Sequence, residues 1–299
     1  MWGAKCDGTN DDAAALSKWA AALQTLKALY VPGFCKTSAA LDFGTGNNLS
    51  ITGPGSATAG IIYAGANTTN DIITIGATSP QSGQWNISGW LLKSSTTMTG
   101  GAGVHAKNLV QSRFDDFIVG GQANTLNLYH AMWFDAVDRI IFDHYDLAAI
   151  GDALRVNGTV GVGAKADLLL GSGKISRATV GVHIGGGFGG FVAGAADIIS
   201  NGTNVLIDNA LVAETNREIF FGSDTLIDTA TSGCGVDINE VGAGQEWISF
   251  TGTSLATATL SLLCVRSNYI GIVKYSGGTI YNAQVDGINN EHYKSAPIS

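Results

Sequence analysis

The 299-residue sequence has little charge, little proline and no long hydrophobic run. Charged residues make up 13% of the chain, and proline occurs 4 times. An apolar content of 45% excludes an intrinsically disordered chain, because disorder requires low hydrophobicity together with high charge. No apolar run approaches the roughly 20 residues that cross a bilayer, so we expect no membrane partner.

Clusters of basic residues are also lacking. The chain has 16 Lys and Arg against 24 Asp and Glu, a net charge of −8. Nucleic acids are bound by grouped Lys and Arg, so the sequence predicts no nucleic-acid partner. The N-terminus shows no basic segment followed by a hydrophobic core, so no signal peptide is visible. Because Met1 and Trp2 lead directly into a structural motif, we expect a processed domain or a piece of a longer chain.

The cysteines show no CxxC spacing. Cys6, Cys35, Cys234 and Cys264 are scattered, which argues against a zinc site, and we expect no metal and no other cofactor. Cys6 and Cys35 flank the first helical segment and could form a disulfide. Buried free thiols are the alternative.

Glycine and short apolar segments are abundant. Gly occurs 41 times, and short apolar segments recur between Gly, Asn, Asp, Ser and Thr, among them GIIYAG, DIITIG, RIIFD, DLLLG, GVHIGG, NVLIDN and EIFFG. Each has the length of a strand and is too short for a helix. Within one of them, Val182 and Ile184 are predicted to face inward and His183 outward.

An internal repeat indicates how these strands are arranged. Gly181–Ile198 aligns with Gly235–Gly252 at an offset of 54 residues, and NVLIDN lies between the two segments. A repeat of about 20–30 residues with short strands is typical of a β-solenoid. A β-sandwich, the alternative, would show hairpin turns about every 8–12 residues. We predict one continuous solenoid domain over residues 31–299.

Residues 1–30 are predicted to form a turn and a capping helix. Thr9 or Asn10 is the expected N-cap, with Asp11 and Asp12 in the first turn. Apolar residues then follow at spacings of three and four, which predicts one apolar stripe. A solenoid end exposes core side chains and unpaired backbone groups, so we expect the helix to cover that end. The stripe consists of Leu16, Trp19, Leu23, Leu26 and Tyr30.

The N-terminal segment "GAKCDGTNDD", with "YVPGF" after the helix, resembles the opening signature of the pectate-lyase-like right-handed parallel β-helix superfamily. "VPGF" departs from that signature by lacking a residue before its Gly. The segment Asn216–Ile238 is most similar to phage tailspike and tail-fibre polysaccharide depolymerases. The resemblance implies an all-β fold, a single-stranded right-handed parallel β-helix with an N-terminal capping α-helix.

The same resemblance implies a polysaccharide substrate, a homotrimer and a place on a virion tail or outside the cell. It leaves the chemistry open, because one fold carries many activities. Glycoside hydrolysis needs two carboxylates, whereas a polysaccharide lyase needs a base and a group that neutralises a uronate.

A first candidate site lies in His130–Asp146. Asp143 is the candidate catalytic acid, and Trp133, Tyr145 and His144 are candidate substrate-binding residues, because aromatic faces cover sugar rings. The alternative is that Asp residues fill the corners of the solenoid turns. The other charged residues of the segment are Asp135, Asp138, Arg139 and Asp146.

A second candidate site follows Glu214. Glu214, Glu218 and Asp224 are candidate catalytic carboxylates, and Arg217 is a candidate substrate-binding residue. If Ile219 and Phe221 point inward, Glu218 and Phe220 point outward together. The alternative is a solvated charged face. Further carboxylates in this segment and its repeat are Asp228, Glu240 and Glu246.

The sequence therefore predicts an enzyme that cleaves a bacterial capsule or exopolysaccharide, with hydrolysis ahead of elimination because candidate acids outnumber candidate bases. His183 is a further candidate substrate-binding residue. A non-catalytic glycan-binding tail module and a fructotransferase are the alternatives. The acidic net charge disfavours a strongly anionic polymer.

Overall fold

The chain is an all-parallel β-solenoid of about nine turns, which confirms the predicted parallel β-helix. A computed structural model describes residues 3–79, 81–120, 126–158, 167–214, 216–239, 247–265, 272–277, 285–287 and 293–295. The chain falls into an N-terminal unit, Met1–Gly151, and a C-terminal unit, Asp152–Ser299, and each is described by itself. A single continuous domain over 31–299 stays a prediction.

The N-terminal unit contains one α-helix, α1 (Ala13–Leu26), and two main parallel sheets. Sheet 1 consists of β1 (Asp7–Asp11), β2 (Ala28–Tyr30), β3 (Phe34–Thr37), β5 (Ser50–Thr52), β6 (Gly60–Tyr63), β9 (Asn86–Ser94), β12 (Arg113–Val119) and β14 (Ile140–Leu147). Sheet 2 consists of β4 (Leu41–Asp42), β7 (Ile73–Gly76), β10 (Ala102–Lys107) and β13 (His130–Asp135). A third, small sheet pairs β8 (Ser82–Gly83) with β11 (Leu109–Val110).

The C-terminal unit also contains two parallel sheets. Sheet 3 consists of β16 (Asp167–Ser176), β18 (Gly190–Ile199), β20 (Glu218–Phe221), β21 (Leu226–Asp228), β23 (Trp247–Thr251), β24 (Ser254–Leu255), β26 (Ile272–Ser276) and β28 (Tyr293–Ser295). Sheet 4 consists of β15 (Asp152–Asn157), β17 (Val180–Ile184), β19 (Thr203–Ile207), β22 (Val236–Ile238), β25 (Leu263–Val265) and β27 (Val285–Gly287).

The sequence repeat corresponds to two turns of the solenoid. Val182, Val205 and Val236 stack directly on one another in sheet 4. His183 stacks on Leu206 and then Asp237, so the predicted alignment of these positions is confirmed.

Helix α1 packs on the N-terminal unit with part of its predicted apolar stripe. Leu16, Trp19 and Leu23 are buried, and Trp19 meets Phe43 edge to face at 5.5 Å between ring centroids. Leu26 is 55% exposed, so its predicted place in the buried stripe is wrong. The physical reason is that the helix ends immediately after it, at a left-handed C-cap.

Tyr30, the last residue of the predicted stripe, is 52% exposed because it lies on β2 beyond the helix. The predicted helix start is also displaced, since Thr9 and Asn10 lie in β1 and the N-cap is Asp12. The Asp12 carboxylate accepts the backbone N–H groups of Lys5 and Cys6 instead of capping the helix. Among the described residues no helix is long and apolar enough to span a membrane.

Each unit has an aromatic core between its sheets. In the N-terminal unit Phe114 packs edge to face against Phe134 and Phe142, at 5.2 and 5.8 Å between centroids. In the C-terminal unit Phe221 stacks on Phe250 at 5.0 Å. Stacked aromatic residues on successive turns bury a large apolar area per residue, which stabilises the solenoid core.

The cysteines form two disulfides. Cys6 is bonded to Cys35 in the N-terminal unit, as the sequence allowed, and Cys234 is bonded to Cys264 in the C-terminal unit. The sequence did not indicate the second pair, because its partners are brought together only by the pairing of successive turns.

A stack of left-handed residues bends the outer face of sheet 1. Gly89, Asp116 and His144 occupy equivalent positions on β9, β12 and β14, with φ of 72°, 46° and 47°. Residues on both sides of the bend face away from the core, although Leu91 and Ile118 beyond it are only 6% and 7% exposed. Both sides of the bend matter for the candidate site.

Candidate functional site

The structure divides the first predicted site between two sheets. Trp133 and Asp135 lie on β13 in sheet 2, whereas Asp143 and His144 lie on β14 in sheet 1. Tyr145 is only 3% exposed and its ring packs 4.6 Å from that of Phe142. We therefore leave Tyr145 out of the candidate site. Closeness in sequence does not bring these residues onto one surface.

Asp143 and His144 instead meet residues of the preceding turn. We call Arg113, Asp115, Asp143 and His144 the His144 cluster. Asp115 on β12 stands opposite Asp143 on β14, and both point outward because the preceding Phe114 and Phe142 are buried. The register of two stacked strands thus assembles the cluster.

The cluster is tightly connected. His144 Nδ1 lies 2.8 Å from Asp115 Oδ1 and 3.7 Å from Asp143 Oδ2. Arg113 Nη2 lies 3.1 Å from Asp115 Oδ2 and 3.7 Å from Asp143 Oδ2. Two carboxylates, an imidazole and a guanidinium therefore converge on one accessible patch.

The contacts set the protonation of the cluster. The hydrogen bond with Asp115, helped by the charge of Asp143, raises the pKa of His144. Partial burial acts to raise the pKa of Asp115, but its hydrogen bonds with His144 and Arg113 outweigh this and lower it. His144 therefore keeps its proton to a higher pH than a free histidine, beside an ionised carboxylate.

The exposed ring edge of His144 can transfer a proton. Its side chain is 63% exposed, and Nδ1 is directed at Asp115, so Nε2 is the atom available to a substrate. A carboxylate that holds one ring nitrogen fixes the orientation of the imidazole and stabilises its charged form. This is the arrangement of a general acid–base group.

The same side chains are close enough to hold a metal ion. One ligand atom from each of Asp115, Asp143 and His144 lies within 4.8 Å of the others. However, the Arg113 guanidinium contacts both carboxylates and already supplies positive charge there. We therefore interpret the cluster as an acid–base site.

The second predicted site is less convergent. Glu218 and Phe220 both point outward from β20, as predicted, while Ile219 and Phe221 are buried. Arg217 and Asp224 are exposed and Glu214 is half-buried.

Of the other carboxylates considered with the second site, Asp228 accepts the backbone N–H of Thr257 at 2.9 Å, a structural contact. Glu240 and Glu246 lie outside the described residues.

The remaining acidic residues of His130–Asp146 lie apart from the His144 cluster. Asp138 pairs with Arg139 at 3.1 Å where the chain turns into β14. Asp146 lies beyond the bend on β14 and is half-buried.

His183 does not reach the surface. It is 7% exposed, with Nδ1 3.1 Å from Asp152 Oδ2 and Nε2 3.0 Å from Asp208 Oδ1. Burial acts to lower the pKa of His183, but the two carboxylates outweigh it and raise the pKa to about 9. Arg155 adds a second cation, 3.2 Å from Asp152. We therefore remove His183 from the substrate-binding residues.

The N-terminal unit contains a related arrangement around His105. His105 Nδ1 lies 2.7 Å from Asp71 Oδ2, whereas Nε2 lies 3.5 Å from Asp135 Oδ2 and makes no hydrogen bond within the part of the chain that the structure describes. In both units the turn before the histidine supplies the carboxylate nearest Nδ1 and the turn after it supplies the one nearest Nε2. We call these two arrangements histidine clamps, because each histidine lies between carboxylates of the preceding and following turns.

Trp133 belongs to the clamp of the N-terminal unit. Its ring stacks on His105 at 4.0 Å between centroids, with 9° between the planes. Sequence reasoning missed His105, Asp71, Arg113 and Asp115. Only strand register identifies them, since their partners lie about 30 residues away.

Comparison with known proteins identifies similar folds. No family model and no curated protein matches the chain. The A-module of the Azotobacter vinelandii mannuronan C-5 epimerase AlgE4 is 13% identical, with a TM-score of 0.56 over 96% of this chain and 97% of that one. The Acinetobacter phage vb_AbaP_AS12 gp42 tailspike is 12% identical, with a TM-score of 0.64 over 99% of this chain and 65% of that one.

The enzymatically active domain of tailspike protein 2 from bacteriophage CBA120 is also similar. It is 12% identical, with a TM-score of 0.65 over 93% of this chain and 41% of that one. The chain therefore spans less than two thirds of either tailspike chain. At identities this low, the structural similarity shows only that the fold, a parallel β-helix, is shared. This agrees with the resemblance noted in the N-terminal segment.

Proposed function

We propose that this chain is a polysaccharide-cleaving enzyme and that the His144 cluster is its active site. The observation that carries the proposal is the 2.8 Å contact between Asp115 and His144 on an exposed strand face, with Asp143 beside it. An oriented imidazole with a raised pKa next to a carboxylate is suited to proton transfer at a glycosidic bond.

Hydrolysis is the primary reaction. His144 Nε2–H donates a proton to the glycosidic oxygen as the bond to the anomeric carbon breaks. The Asp143 carboxylate stabilises the positive charge that develops at that carbon, or activates the attacking water. Asp115 holds the imidazolium in place, and Arg113 pairs with both carboxylates, which offsets their mutual repulsion.

Arg113 favours elimination as a second candidate reaction. A guanidinium at the site can neutralise the carboxylate of a uronic acid, which makes the proton on the neighbouring carbon easier to remove. Neutral His144 would then take that proton, a carbon–carbon double bond forms as the bond to the glycosidic oxygen breaks, and the leaving oxygen is protonated by water. The likeness to a mannuronan epimerase fold supports a uronate polymer in this case.

Glu214, Glu218, Asp224 and Arg217 stay predictions as functional residues. Glu218 beside Phe220 offers a carboxylate and an aromatic ring on one outward face, which suits contact with a sugar. We propose this face as an accessory glycan contact of the C-terminal unit.

The location and assembly of the chain follow from the same proposal. Two disulfides are typical of proteins outside the reducing cytosol, which supports an extracellular or virion-surface location. The likeness to tailspikes supports a homotrimer. Exposed Leu169 on β16 and half-buried Val192, with which it pairs on β18, are candidates for its interface.

The test is cleavage of purified capsular and exopolysaccharides by the wild type and by His144→Asn. Reducing ends report hydrolysis, and absorbance near 235 nm from unsaturated uronates reports elimination. We expect His144→Asn to lower kcat at least 100-fold. Asp197→Asn, an exposed carboxylate change in the C-terminal unit, is the matched control and should retain full activity.

Two outcomes would contradict the proposal. One is a His144→Asn protein that cleaves as fast as the wild type, above all if Glu218→Gln abolishes cleavage. The other is binding of a polysaccharide without cleavage of any, which would indicate a non-catalytic glycan-binding module.

A further inference from the structure

A groove lies on the outer face of sheet 1, beyond the bend that carries His144. Its volume is about 150 Å³, smaller than the roughly 300–1,000 Å³ of pockets for drug-sized ligands. This volume suits one small ring. We call it the Lys93 groove. Its lining residues are Phe34, Ala57, Leu91, Leu92, Lys93, Ile118 and Gly120.

Strand register builds the groove. Phe34, Gly60, Leu91 and Ile118 are paired one after another across β3, β6, β9 and β12. A Cβ at Gly60 would lie 2.5 Å from the Leu91 carbonyl oxygen, so a larger residue cannot fit there. Because Gly60 has no side chain, Leu91 packs directly over its backbone and forms the floor of the groove next to Phe34.

The groove adjoins the His144 cluster. Ile118 lies three residues after Asp115 on β12, and the left-handed Asp116 lies between them. The Asp116 carboxylate accepts hydrogen bonds from the Ser56 hydroxyl at 2.5 Å and the Ser56 backbone N–H at 3.2 Å. These bonds hold the loop that carries Ala57 against the groove.

The groove is positively charged on one side. Lys93 Nζ lies 5.4 Å from the centre of the Phe34 ring, and no ion pair to Lys93 occurs among the residues that the structure describes. Lys36 follows in the same row, since Lys36 pairs with Ile62 and Ile62 with Lys93. Arg113 on β12 and Arg139, immediately before β14, are by contrast each paired with a carboxylate.

We propose that the Lys93 groove is a subsite for one acidic sugar residue of the polysaccharide substrate. The apolar face of the sugar ring packs on Leu91 and Ile118, and its carboxylate pairs with Lys93. This inference rests on the proposed function, because it extends the substrate of the His144 cluster along the same strands. It also revises the expectation, drawn from net charge alone, that the substrate is not anionic.

The chemistry of the contact explains this choice. A half-buried ammonium without a carboxylate partner can donate a charge-assisted hydrogen bond to a bound anion. A neutral sugar would contact the same apolar floor but would leave the cation unpaired. We therefore expect the Lys93 groove to bind an acidic sugar more tightly than its neutral counterpart.

Binding measurements test the inference separately from catalysis. The probes are hexasaccharides of mannuronate, galacturonate and glucuronate, together with their carboxyl-reduced forms, and calorimetry gives Kd. We expect at least one acidic probe to bind at least tenfold more tightly than its reduced form. Lys93→Met, which keeps the aliphatic stem over Phe34, should weaken that binding at least tenfold and leave binding of the reduced form unchanged.

Two further variants sharpen the test. Ala57→Phe, at an exposed position on the rim, should weaken binding of both forms by blocking the groove. Lys18→Met, an exposed lysine of α1, is the charge-matched control and should bind as the wild type does.

Three results would overturn the subsite: equal affinity for acidic and reduced probes, Lys93→Met with wild-type affinity, or no binding of any acidic probe. Loss of cleavage in His144→Asn with unchanged Lys93→Met binding would reject the subsite alone. Tight, Lys93-dependent binding with no effect of His144→Asn on cleavage would reject the active site alone.

Discussion

Raising the pH above 9 is expected to release the clamp around His183 and to destabilise the chain. In the folded protein His183 lies between Asp152 and Asp208, and its pKa is raised from 6.5 to about 9. In the unfolded chain the histidine has its ordinary pKa. The clamp therefore stabilises the fold fully below pH 6.5, and this contribution disappears as the pH rises through about 9.

The magnitude follows from the two pKa values. One pKa unit corresponds to about 1.4 kcal/mol, so the change from 6.5 to about 9 is worth about 3 kcal/mol. The side chain is only 9% exposed, so solvent screens the contacts little. Compared with a total stability of about 5–15 kcal/mol for a typical domain, this loss is easily measured.

The assay is urea unfolding followed by circular dichroism between pH 6 and pH 10. His183→Asn removes the titrating group, and Asp197→Asn, a change at an exposed residue of the same unit, is the control. We expect the wild type and Asp197→Asn to lose about 3 kcal/mol more than His183→Asn over this range. Equal pH dependence in all three proteins would refute the clamp.

Three further changes test the fold and its assembly. Trp19→Ala should destabilise the chain by about 3–5 kcal/mol, because the side chain is 2% exposed under the capping helix, and thermal unfolding measures this. Cys264→Ser should cost about 2–4 kcal/mol by removing the bond to Cys234, and a reducing agent should destabilise the wild type by more, because it also breaks Cys6–Cys35. The wild type should elute with three times the 30.8 kDa chain mass, and Leu169→Glu should shift it toward the monomer in light scattering.

The solenoid was predictable because its signals are local or periodic. The repeat at an offset of 54 residues is two turns of sheet 4, and alternation placed Glu218 and Phe220 outward together. The helix was predictable from its apolar spacing, but its end was not. Leu26 is exposed because the chain turns away at Lys27, whose left-handed backbone is not evident from the side-chain pattern.

The candidate site was only half predictable. Asp143 and His144 stood out as charged residues in one segment, but their partners Arg113 and Asp115 come from the previous turn. The length of each turn sets which residues stack, and turn lengths vary in this chain. For the same reason, the alternation of residues along β17 predicted that His183 faces outward but did not show that Asp152 and Asp208 enclose it.

The most direct test of the active-site assignment is a crystal structure of the His144→Asn variant with the tightest-binding oligosaccharide. We predict a sugar chain along the outer face of sheet 1, with a glycosidic oxygen beside residue 144 and an acidic sugar ring against Lys93. A sugar chain bound at Glu218 and Phe220, with the outer face of sheet 1 empty, would contradict it.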